Sequence, residues 1–144
     1  MANGSSLKTT AKGYLGYQGR EGQIAFLLHR LTGLGTLLFL IIHIVDTSTV
    51  YFFPSLYEHA IEIYRSTPFM LGEVGLVFAV IYHGVNGLRI AAVDLWLPQR
   101  WNIKAQQMGV RGTLAISVLL WLPAAGLMMN SMLVHNYGII IFGG

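Results

Sequence analysis

The chain has 144 residues, of which 54% are hydrophobic and only 10% charged, and its formal net charge is +3. A soluble domain carries about a quarter charged residues, so the deficit points to lipid as the main solvent and excludes a separate water-facing catalytic domain. Cysteine is absent, which excludes disulfides, thioether-bound haem and iron–sulfur ligation by this chain, and nine basic against six acidic residues make no nucleic-acid surface.

Residues 1–23 are polar and glycine-rich, with Lys8, Lys12 and Arg20, and lack the apolar stretch that a secretory leader needs directly after a basic start. They are expected to form a cytoplasmic segment, with Tyr14 and Tyr17 at the headgroup level, where aromatic rings are favoured. From Ile24 to about Asp46 runs the first apolar segment, long enough to cross a bilayer. His29, Thr32, Gly33 and Thr36 fall at i, i+3, i+4 and i+7, one face of small and polar side chains, and His43 returns to about that face nearly four turns later. Asp46 and Thr47 stand three and four residues after His43 and are placed to orient its imidazole.

Thr47 to Pro68 reads as a loop containing its own short helix, opened by a capping box of Ser55 and Glu58 and lying on the membrane surface on an apolar side of Leu56, Tyr57, Ala60, Ile61 and Tyr64. His59 in this loop reads as a solvated side chain. The second span, about residues 69–96, is interrupted at its centre by Tyr82-His83-Gly84-Val85-Asn86-Gly87-Leu88-Arg89 and closed by Asp94. An ionisable group at that depth usually faces a bundle interior. Gly87, four residues after His83, leaves room for a flat ligand beside the imidazole, as a haem-binding helix requires. The other reading is a histidine hydrogen-bonded to a neighbouring helix, with glycine as a packing contact.

Residues 97–112 read as a polar loop, and the third span, about 113–134, has Pro123 at its middle, where a kink is expected. It carries no ionisable residue before His135, so packing is its expected role. Residues 136–144 form a tail too short to cross, which leaves 24–135 as the membrane domain. Basic residues gather in the leader and in the 97–112 loop, whereas the first loop holds Arg65 alone, so the N-terminus is expected to be cytoplasmic and the C-terminus outside.

Taking Arg30 and Arg89 to mark one level at the inner boundary, His83 lies roughly 9 Å deeper and His43 roughly 20 Å deeper. The two histidines then belong to different centres, and a haem held by two imidazoles needs a second subunit. Arg30, Arg89 and His29 are suited to haem propionates, although arginines at span ends also snorkel to phospholipid.

With His29-Arg30-Leu31-Thr32-Gly33 opening the first span and Tyr82-His83, Gly87-Leu88-Arg89 and Asp94 in the second, the chain resembles the cytochrome b556 membrane subunit of succinate dehydrogenase, the SdhC family of respiratory complex II. The motifs cover about residues 25–96. The resemblance implies an all-α, three-helix membrane anchor in the cell inner (plasma) membrane. Its implied partners are an SdhD-like second anchor, an iron–sulfur subunit (SdhB) and a flavoprotein (SdhA), with FAD and the iron–sulfur clusters held only by those partners. It implies that electrons pass from the iron–sulfur subunit to a membrane quinone. His83 matches the family's axial ligand to haem b, Arg30 matches the arginine of the quinone pocket, and His29 and Arg89 match residues near the propionates. Phe26 stands where ubiquinone-reducing members have a serine, and Ile90 where they often have a histidine, differences compatible with menaquinone. His43 resembles the first-helix histidine of anchors that carry a second haem. A quinol:fumarate reductase anchor and a haem-free structural subunit remain as alternatives.

Overall fold

The computed structural model describes residues 21–100 and 102–141, so the expectations for Tyr14, Tyr17 and the rest of residues 1–20 lie outside the described residues. The described chain is all-α, with helices α1 (Glu21–Phe52), α2 (Pro54–Tyr64), α3 (Thr67–Leu95) and α4 (Ile103–Tyr137), and a single 3-10 turn, Pro98–Arg100, before α4. α1, α3 and α4 are each long and apolar enough to cross a membrane, and few residues of their apolar windows are buried within the chain. Leucine and isoleucine left open along α1 suit a helix solvated by lipid or covered by a neighbouring chain. The protein is a multi-pass membrane protein.

α4 begins ten residues before the predicted third span, because Asn102 caps it: its Oδ1 accepts the Ala105 N–H at 2.9 Å. Ile103 to Gly112, read from the sequence as part of a loop, is therefore helical and packs against the end of α3. α4 continues unbroken through Pro123 and stops at Gly138, whose φ of 69° is the left-handed conformation that glycine adopts at no steric cost. The Gly138 and Ile139 N–H groups bond back to Val134 and Leu133.

The helix in the first loop forms as predicted, but not through the expected capping box. Pro54 occupies its first position with Phe53 as N-cap, and no side chain caps it, so Ser55 lies already inside the first turn. Of the apolar side expected for it, Tyr57, Ala60, Ile61 and Tyr64 are half-buried. Leu56 is exposed.

The core is a narrow seam. On α3, Val74, Phe78, Tyr82 and Asn86 recur every fourth residue; on α4, Thr113, Ser117, Trp121 and Ala125 do the same, and these two helices pack most extensively. Ser117 is fully buried, its hydroxyl donating to the Thr113 carbonyl at 2.8 Å. Phe78 meets Trp121 edge-on at 5.7 Å, and the indole N–H donates to the Val74 carbonyl at 2.9 Å. Small side chains at such positions let helix backbones approach where lipid supplies no hydrophobic drive. At the opposite end, Asn136 donates to the Thr67 hydroxyl at 3.0 Å, tying the last turn of α4 to the first of α3.

Candidate functional site

α1 joins the α3–α4 pair through a strip of small and polar residues, and here the chain places its two most closely associated histidines. The His29 and His83 rings stack at 4.2 Å with planes 3° apart. His83 Nδ1 lies 3.1 Å from the His29 carbonyl oxygen, so Nδ1 is the protonated donor, and Nε2 has no hydrogen bond within the described chain. Two rings lying face to face leave no space for a porphyrin between them, so they cannot be the two axial ligands of one iron. His29 Nδ1 is buried and has no hydrogen-bond partner among the described residues.

Glycine makes this fit on the opposite helix. A Cβ at Gly33 would lie 2.6 Å from His83 Cε1 and 3.0 Å from Nδ1, closer than real contacts allow. A Cβ at Gly87 would meet His29 Cε1 at 3.5 Å, an ordinary contact. The side chain that had to be absent is thus on α1, and Gly87 faces His29 from across the interface. Thr32 is buried beside them, its hydroxyl donating to the Leu28 carbonyl at 2.7 Å and reaching the His29 carbonyl at 3.1 Å.

Asn86 and Arg89 continue the polar strip toward α4. Asn86 is only 1% exposed; its Oδ1 accepts from Arg89 Nε at 3.1 Å, and its Nδ2 is buried without a partner among the described residues. Arg89 Nη1 donates to Gln106 Oε1 at 2.9 Å, and its stem packs against Gly109. Gln106 and Gly109 were missed in the sequence because they fell in the supposed loop. The signal was present: Ala105, Gly109, Thr113 and Ser117 form one run of small residues at four-residue spacing. A half-open cleft of about 330 Å3 lies beside Arg89, lined also by Val93, Gln106 and Gly109.

Arg30 and Arg89 do not mark one level. The contact of His83 with His29 puts Arg30 level with His83, whereas Arg89 lies six residues, roughly 9 Å, nearer the bundle end where α4 begins. Glu21 and Arg111 define that end by an ion pair, with Nε to Oε2 at 2.9 Å. Arg30 is exposed, its guanidinium 5.3 Å over the ring of Phe26, and it makes no hydrogen bond or ion pair among the described residues.

His43 lies fourteen residues beyond His29 along α1, so the two levels are roughly 21 Å apart, about twice the separation inferred from the arginines. It is exposed, and Phe39 stacks on it at 5.4 Å. Neither expected helper hydrogen-bonds its imidazole. Thr47 donates to the His43 backbone carbonyl at 2.7 Å, and Asp46 accepts from the Tyr64 hydroxyl of α2. That bond, with partial burial, holds the Tyr64 phenol above its ordinary pKa. His59 stays exposed, 3.8 Å from Glu62.

Three long apolar helices around an internal strip of histidine, asparagine and arginine define a helical membrane subunit with a polar site at the α1–α3 crossing. The chain belongs to the succinate dehydrogenase/fumarate reductase transmembrane subunit family, whose pattern matches residues 14–124. It is similar to the succinate dehydrogenase 2 membrane subunit SdhC of Mycobacterium tuberculosis, with 32% identity over 80 residues. That match spans 56% of this chain and 59% of the relative's length.

Proposed function

We propose that the chain is the haem b-binding membrane anchor of a succinate:quinone oxidoreductase in the cell inner membrane, with its N-terminus cytoplasmic. The observation that carries this reading is His83: an imidazole at the centre of a span, held through Nδ1 by a backbone carbonyl, with Nε2 left unbonded for iron. The buried His29 Nδ1 and Asn86 Nδ2, without a partner among the described residues, fit a polar group that those residues do not supply. His29 and His83 cannot both hold one iron, so His83 would hold it from this chain and a second ligand would be supplied by an SdhD-like companion anchor.

His29 and Arg89 would hold the propionates. When bound, haem b supplies one-electron storage between the iron–sulfur subunit and the quinone. Arg30, an exposed cation in an apolar span, needs a polar partner, and a quinone carbonyl between this chain and its companions satisfies that need. Its guanidinium orients and polarises that oxygen, and the Phe26 ring beneath it offers an apolar wall in place of a hydroxyl, which favours menaquinone. His43, roughly 21 Å away, would ligate a second haem near the opposite boundary. Succinate oxidation itself belongs to the flavoprotein partner.

The test is the absorption spectrum of the purified complex. Its reduced b-type α band is expected to disappear, or to lose the component of the haem at His83, in His83→Ala. A band of unchanged intensity in that variant overturns the assignment.

A further inference from the structure

We infer that Gly33 is a positioning residue for His83: by lacking a side chain it lets the imidazole reach the His29 carbonyl, and that contact fixes the tautomer in which Nε2 carries the free lone pair. The inference rests on the reading that His83 ligates haem iron, and it assigns work to the opposite helix, where ligand-spacing patterns do not look.

The geometry is over-determined. The His83 ring is bounded by the parallel His29 ring at 4.2 Å, by the His29 carbonyl 3.1 Å from Nδ1, and by the Gly33 backbone, where even one methyl carbon would come within 2.6 Å of Cε1. With one face, the Nδ1 edge and the Cε1 edge all engaged, a shift of the ring away from residue 33 costs the hydrogen bond. A methyl at residue 33 therefore pushes Nδ1 off the carbonyl. Thr32 bears on the same acceptor: its one hydroxyl proton, donated mainly to the Leu28 carbonyl at 2.7 Å, is also within reach of the His29 carbonyl oxygen at 3.1 Å.

An Nδ1–H···O=C bond raises the basicity of Nε2 and so stabilises ferric over ferrous iron. Weakening the bond raises the haem midpoint potential; removing the competing Thr32 hydroxyl strengthens it and lowers that potential. A glycine that merely allowed helices to pack would change assembly and leave the potential of the assembled fraction alone.

The experiment takes the intact purified complex and compares wild type, His83→Ala, Gly33→Ala and Thr32→Val by redox titration of the haem and by its low-spin ferric electron paramagnetic resonance. Gly33→Ala is expected to retain haem, shift its midpoint upward and change the low-spin g values; Thr32→Val is expected to shift the midpoint downward. If Gly33→Ala assembles with wild-type potential and g values while His83→Ala loses haem, the inference is overturned and the ligand assignment stands. If His83→Ala keeps all its haem, the ligand assignment fails and takes the inference with it. Should Gly33→Ala not assemble, Thr32→Val decides: a downward shift supports the inference, and an unchanged midpoint overturns it.

Discussion

His83 and His43 are both span histidines, yet the chain treats them in opposite ways. His83 is gripped by stacking, by a carbonyl and by the hole at Gly33, while His43 lies exposed with one aromatic neighbour. The polar strip that begins at His83 draws on three helices, with His29 on α1, Asn86 and Arg89 on α3 and Gln106 on α4; the groups nearest His43 in sequence turn to other partners, Asp46 to Tyr64 and Thr47 to the helix backbone. An intramembrane imidazole oriented by its own chain has its direction set before any partner arrives. One left open to lipid requires a neighbour to make its position tolerable.

The largest expected effect breaks this contrast directly. If His43 ligates a second haem with help from a companion subunit, His43→Ala lowers the haem-to-flavin ratio of the complex from about two to about one and leaves the His83 component of the spectrum unchanged. A ratio of one already in the wild type removes the second haem and leaves His43 as a polar contact to the companion.

Next in size is the α3–α4 end of the gripped region. Arg89→Ala strips the partner from Asn86 Oδ1 and from Gln106, which are buried and half-buried. Leaving such groups unpaired costs about 1–3 kcal/mol, read as a lowered thermal midpoint of the detergent-solubilised complex. Gln106→Ala, which removes one of the two contacts, is expected to cost less than Arg89→Ala; an equal loss would place the Arg89 contribution on Gln106 alone.

Farther along the same seam, Trp121→Phe keeps the edge-on contact with Phe78 but removes the donor to the Val74 carbonyl, at about 1 kcal/mol by the same thermal measurement, with no change in the haem spectrum. A spectral change would show that the α3–α4 seam and the His83 pocket are coupled.

How much of this was legible in the sequence follows from what each feature depends on. The three spans and the helix in the first loop follow from hydropathy and turn residues, properties of single stretches of chain. His83, His29, Arg30 and Arg89 stood out because ionisable groups in an apolar run are rare whatever their neighbours. The role of Gly33 was not legible, since it depends on which residue of another helix lies opposite, and the register between helices is absent from any one stretch. The same lack of register put Arg30 and Arg89 at one level, when a single contact, His83 to the His29 carbonyl, sets them about 9 Å apart. Gln106 and Gly109 were hidden for a different reason: the polar residues around Arg100 suggested a loop, and the four-residue spacing of Ala105, Gly109, Thr113 and Ser117 was the stronger signal.

The smallest effect belongs to the exposed side of the comparison. Tyr64→Phe removes the hydroxyl that Asp46 accepts, on a partly solvated connection between α1 and α2, and is expected to cost less than about 1 kcal/mol at neutral pH. The phenol's pKa is raised in the folded state, first by this hydrogen bond. Its contribution is therefore complete below the ordinary tyrosine pKa of about 10 and is lost as pH rises through the higher folded value. Wild type and Tyr64→Phe should then differ in thermal midpoint at pH 7 and converge at strongly alkaline pH. A difference that persists there would assign the effect to ring packing rather than to the Asp46 bond, and the α2 helix would be held to α1 by its half-buried side, Tyr57, Ala60 and Ile61, alone.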